Sequence, residues 1–140
     1  MELRGRGLDL SIRPVDVVDP RESEQVDISI RVAGFRGHYQ VSSVVSELLS
    51  FDGELGALMR NLIPGRKAVL DFMESVRVEL IMGELGHIEG RYEFTTDSCG
   101  VGGMVPTMLT GAFTLDQSYL PALRREVVEL LADLGVGRSD

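Results

Sequence analysis

The sequence predicts an α+β fold in which a single antiparallel β-sheet of about six to seven strands carries two α-helices packed on its apolar face. Three observations predict it. Several short runs alternate apolar with polar residues, the period of a half-buried strand. Two longer segments space their apolar residues three and four apart, which puts them on one face of a helix. Glycine and proline separate these runs. A length of 140 residues suits one domain with one core. Residues 1–140 are therefore read as a single domain, with 95–104 a flexible glycine-rich loop and 136–140 a disordered tail.

In chain order, Leu8, Leu10 and Ile12 alternate, and so do Val26, Ile28, Ile30 and Val32. The polar stretch from Pro14 to Glu24 connects them and is long for a hairpin. Gly34 and Gly37 bracket a turn, after which Tyr39 and Val41 continue as a third strand. Ser46 then serves as N-cap of a helix whose face is Leu48, Phe51, Leu55, Leu58, Met59 and Leu62, stopped by Pro64-Gly65. Gly53 and Gly56 inside it each cost about 1 kcal/mol relative to alanine, so the helix depends on packing.

Ala68, Leu70 and Phe72 form a short strand, followed by Val76, Val78, Leu80 and Met82. Strict alternation decides the next turn. A two-residue loop would mix core and solvent faces, whereas the three-residue loop Gly83 to Leu85 sets Leu80 beside Ile88 and Val76 beside Tyr92. Gly86 suits the left-handed bulge position. That register places Glu79 opposite Glu89 and Arg77 opposite Arg91, an unfavourable pairing of like charges.

Leu109, Gly111, Phe113 and Leu115 make the last strand. The closing helix presents Leu120, Leu123, Val127, Leu130, Leu131 and Leu134 on one face and directs Arg124, Arg125 and Glu129 away. Ser118 is its expected N-cap, Pro121 falls in the first turn and Gly135 terminates it. Burying each large apolar side chain of that stripe contributes about 1.5–3 kcal/mol. No internal repeat is evident.

Composition narrows the function classes. Apolar content of 44% and charged content of 26% are those of an ordinary globular protein. A net charge of −8 disfavours a nucleic-acid partner and permits binding to a basic protein, although on charge alone a merely soluble surface is the favoured reading. No apolar run approaches a membrane span, and the opening Met-Glu-Leu-Arg-Gly-Arg lacks a signal-peptide core. The single cysteine, Cys99, cannot form an internal disulfide, and the cytoplasm is the expected compartment.

Reaction chemistry is thin. His38 and His87 have no second histidine or carboxylate at ligand spacing, so neither a metal nor a cofactor is implied. The glycine run after Cys99 does not lead from a strand into a helix and fails the context test for phosphate binding. Carboxylates are plentiful at polar positions: Asp52 and Glu54 on the first helix, Asp71 and Glu74 between strands, Glu84 in a turn. These five are the expected partner-binding residues, and no catalytic residue is expected. Asp116 is read as accepting hydrogen bonds from free N–H groups at the start of the last helix, and Tyr119 as packing in its first turn.

Four elements together carry a family resemblance: Val32-Ala-Gly-Phe-Arg-Gly-His-Tyr39, the helical pair Phe51 and Leu55, Leu85-Gly-His-Ile88, and Phe113-Thr-Leu-Asp-Gln-Ser-Tyr-Leu120. In order and spacing they resemble the WapI-type immunity proteins of bacterial polymorphic toxin systems. Gly86, His87, Asp116, Gln117, Ser118 and Tyr119 are the motif residues, read as holding the fold. The resemblance implies a non-enzymatic cytoplasmic protein that binds and neutralises a cognate toxin. Such toxins are often nucleases with basic grooves, which an acidic protein would occlude. A second class of function is a homo-oligomeric module, such as a homodimer, or a small-ligand-binding one. A hydrolase built on His87 ranks last.

Overall fold

In the computed structural model, residues 1–15, 25–72, 75–100 and 103–136 are described, the side chains of 96–100 and 103–107 excepted. Among these residues the chain runs β1 (Glu2–Gly5), β2 (Leu8–Pro14), β3 (Val26–Val32), β4 (Phe35–Val41), α1 (Val45–Arg60), β5 (Lys67–Phe72), β6 (Val76–Met82), β7 (His87–Gly100), β8 (Gly103–Asp116) and α2 (Leu120–Asp133).

The single sheet is overturned. The strands form two four-stranded antiparallel sheets, β1-β2-β3-β4 and β5-β6-β7-β8. Each is a meander in which sequence neighbours pair, and each is followed by a helix. The sheets meet at one bridge, Arg6 with Thr114, whose two N–H···O bonds measure 3.1 and 3.3 Å. Two features keep the ladder from running through. The helix α1 separates β4 from β5, and Gly7 at φ +106° turns the chain into β2 immediately after the bridge. The eighth strand, β1, escapes sequence reading because Leu3 is its only buried side chain, too few to show alternation.

Both meanders contribute to one buried cluster, together with Leu48, Phe51, Leu55 and Leu58 of α1 and Leu120, Leu123, Val127, Leu130 and Leu131 of α2. The helices interlock the halves. The first packs on β5 and on α2, and the second also reaches β1 and β2.

Three local expectations change. At the start of α1, Val44 takes the N-cap position without a side-chain bond, and Ser46 falls inside the first turn. That helix ends at Arg60, so Leu62 lies beyond it and is 50% exposed. In α2, Arg124 does not point away. Its Nε donates to Asp52 Oδ1 at 3.0 Å across the helix pair, directly over Gly56. A Cβ on Gly56 would stand 3.1 Å from that guanidinium, so the small residue makes room for the bridge.

Between β6 and β7 the face assignment holds but the register slips by two. Met82 opposes Ile88, Leu80 opposes Gly90 and Val78 opposes Tyr92. A slip of two keeps every side chain on its face. It also replaces the like-charge pairs by Glu79 opposite Arg91 and Arg77 opposite Glu93, which is the electrostatic reason to prefer it. Where a flexible loop was expected over 95–104, backbone pairing runs from Thr95 with Met108 through Gly100 with Gly103, and residues 101–102 lie outside the described ones. Of the expected tail, residues 137–140 also lie outside them.

Candidate partner-binding surfaces

The outer face of the second sheet is a ladder of matched charges. Lys67 Nζ lies 2.7 Å from Glu79 Oε1, Arg77 Nη1 lies 3.0 Å from Asp71 Oδ2, and Arg91 Nη2 lies 3.6 Å from Glu89 Oε1. The hydrogen bond from Lys67 holds the Glu79 carboxyl below its ordinary range, against a smaller opposing effect of burial. The outer face of the first sheet is less balanced. Arg31 and Arg36 are direct cross-strand neighbours, and neither has a carboxylate within 4.0 Å among the described residues.

The five acids proposed from sequence do not converge. Asp52 is engaged with Arg124, and Asp71 with Arg77. Glu54 is half-buried on α1, with no ion pair among the described residues. Glu84 is exposed in the β6–β7 turn, and Glu74 lies outside the described residues.

The motif residues, by contrast, do come together, around that same turn. His87 pairs with Asp116 across β7 and β8. Gly86 sits at φ +79° against the Gln117 side chain, where a Cβ would fall 2.7 Å from its Cδ. The Gln117 Oε1 atom is buried with no hydrogen-bond partner among the described residues. Asp116 Oδ1 accepts from the Ser118 N–H at 2.9 Å, which holds the Asp116 carboxyl below its usual range. Asp116, not Ser118, is thus the capping residue, and it caps a short 3-10 turn, Gln117–Tyr119, that precedes α2. Tyr119 does more than pack. Its hydroxyl donates to the Glu2 carbonyl at 2.9 Å and accepts from the Arg4 N–H at 3.4 Å, sealing the edge of β1 beside the Arg6 bridge. Burial raises its pKa.

What this end of the second sheet presents is apolar. Leu85 is 98% exposed and held at φ 59°, ψ 26° in the left-handed region. Leu62 and Ile63, 50% and 48% exposed, lie at the same end. Their loop is tied to the foot of the turn by Gly65 N–H to Met82 O at 2.7 Å and Met82 N–H to Arg66 O at 2.8 Å. Sequence reading passed over Leu85 as a loop residue. Its signal was there: a large apolar side chain between Gly83, Glu84 and Gly86 belongs to neither alternating strand and has no core face to occupy.

Other chemistry is sparse. No group of three or more His, Cys, Asp or Glu among the described residues could hold a metal ion. His38 faces Asp27 at 3.4 Å on an open sheet surface, in a different sheet from His87. No described helix is long and apolar enough to cross a membrane.

Comparison with known proteins gives one match. The family described as the immunity protein WapI-like family fits residues 3–135. No curated protein sequence and no solved structure matches the chain.

Proposed function

The chain belongs to the immunity protein WapI-like family, and from that premise we propose that it binds and neutralises a cognate bacterial toxin in the cytoplasm, without catalysis of its own. The family match across 3–135 carries this reading. Neutralisation by binding requires only a complementary surface that blocks the toxin's substrate groove. A net charge of −8 suits a basic toxin such as a nuclease, because opposite fields speed encounter and orient the pair.

Among the five acids proposed for contact, Glu54 and Glu84 are the stronger candidates. Asp52 and Asp71 already spend their charge on internal arginines, and a desolvated contact there would have to break those pairs. Glu74 stands on sequence position alone.

A small-ligand module is the second reading. It finds support in a cleft lined by Ile30, Phe35, Tyr39, Phe94 and Leu109 between the two sheets. That cleft is about 190 Å³. Ligand pockets start near about 300 Å³ and are mostly apolar. The larger hollows, about 680 Å³ beside Arg4, Arg31 and Arg36 and about 430 Å³ beside Arg77 and Arg91, lie among charged side chains on the sheet faces. The protein partner is preferred on the family match.

The test is co-expression with each toxin domain encoded beside the gene. Rescue of growth together with co-purification of one toxin is the expected result. If none is bound and none is neutralised, the proposal is wrong.

A further inference from the structure

We propose that the Gly83–His87 turn is the toxin-docking knob of this protein, with Leu85 as its anchor, and that the toxin receives it in an apolar socket rimmed by basic groups. This rests on the immunity reading above and assigns it a site.

The first argument is exposure. Of the large apolar side chains on the described surface, Leu85 is the most exposed, at 98%. The next is Phe35 at 62%. A leucine gains nothing for the isolated fold by standing in water.

The second is backbone strain. A bulky non-glycine residue at φ 59° is an uncommon conformation that persists only where its surroundings impose it. Here they do. Gly86 is seated against Gln117, His87 is paired with Asp116, and Gly83 N–H donates to the His87 carbonyl at 2.8 Å. The β3–β4 turn provides the contrast. Ala33 there also has positive φ, 49°, yet nothing lies within 4 Å of a Cβ built on its neighbour Gly34. One turn is merely tight, and the other is buttressed by a second element so that it holds its apolar tip outward.

The third is the composition of the surround. Leu62 and Ile63 extend the apolar patch on the adjoining loop. Glu84 precedes the anchor and is exposed, Asp116 is paired with His87 at the base of the turn, and Arg66 is exposed on the adjoining loop. An apolar centre with the exposed Glu84 beside it, on a chain of net charge −8, matches an apolar socket with basic groups to meet that carboxylate, and a preorganised leucine reduces the ordering cost of docking.

Leu85→Gly tests this, because it removes the anchor while relieving the strained φ. With the toxin domain that the wild type binds, affinity should fall about tenfold or more, and the melting temperature should stay equal or rise. Glu84→Lys should slow association, with the difference shrinking at high salt. If Leu85→Gly binds as tightly as wild type, the docking assignment is wrong while the immunity reading stands. If the wild type binds no neighbouring toxin at all, the immunity reading fails and this inference fails with it. A wild-type dimer that Leu85→Gly converts to monomer, with toxin binding intact, would make the occupant a second copy and also overturn the proposal.

Discussion

The two halves of the chain share one plan, a four-stranded meander followed by a helix, yet they build their buried faces differently. The fully buried part of the first sheet's inner face is aliphatic, Leu3, Leu8, Leu10, Ile12, Val26, Ile28 and Ile30, with Tyr39 half-buried at its margin. The second sheet adds rings laid over glycines. Phe113 lies across Gly90, its direct partner on the next strand, and a Cβ on that glycine would overlap the ring. Tyr92 lies across Gly111 in the same way, and stacks on Phe94 with centroids 5.0 Å apart. Interchangeable branched aliphatics can repack around a lost methyl. A ring matched to one glycine cannot, so the second half should be the less tolerant of the two.

Four measurements would break or sharpen that contrast. Phe113→Ala should cost about 3–5 kcal/mol in denaturant unfolding, since it removes the ring and leaves Gly90 facing a void. Gly90→Ala should cost about 1–3 kcal/mol through overpacking. Pairing it with Phe113→Leu should be clearly non-additive, because the two residues share one space. Additive losses would show that ring and glycine are independent and remove the contrast. In the first sheet, Ile28→Val should cost only about 0.5–1.5 kcal/mol. A loss there as large as that of Phe113→Ala would mean the aliphatic face is no more forgiving.

The smallest effect is electrostatic. The two carboxyls held below their ordinary range, Glu79 and Asp116, both lie in the second half. A lowered folded-state pKa stabilises at neutral pH, and that contribution is lost as pH falls from the ordinary carboxylate range through the folded value. Glu79→Gln should therefore lower stability at neutral pH and flatten the acid limb of the stability curve, so that the two proteins converge at low pH. An unaltered acid limb would mean the Lys67 bond contributes nothing measurable.

Much of this second half was legible in the chain itself. Val76, Val78, Leu80 and Met82 declare their buried face by alternation, and Leu120, Leu123, Val127 and Leu130 declare theirs by helical spacing. Gly86 was recognisable as a left-handed position, and its φ is +79°. The site was less legible. Asp52 and Asp71 looked like free surface acids because nothing nearby in sequence announces Arg124, 72 positions away from Asp52, or fixes how β5 meets β6. The exposed tip was hidden for the opposite reason, since Leu85 looked like filler in a turn.

By itself, then, the sequence determined the buried face of most strands and of the second helix, where that helix stops, and which family the chain resembles. Those properties depend on side-chain period and backbone preference over a few residues. Only the tertiary structure decided that the strands divide into two sheets rather than one, that Arg124 turns inward to Asp52, and that Leu85 stands on a buttressed turn. Each of these depends on partners brought from far along the chain, as with Arg6 and Thr114 or Gly86 and Gln117. Local periodicity carries no information about which distant edge or side chain will arrive there.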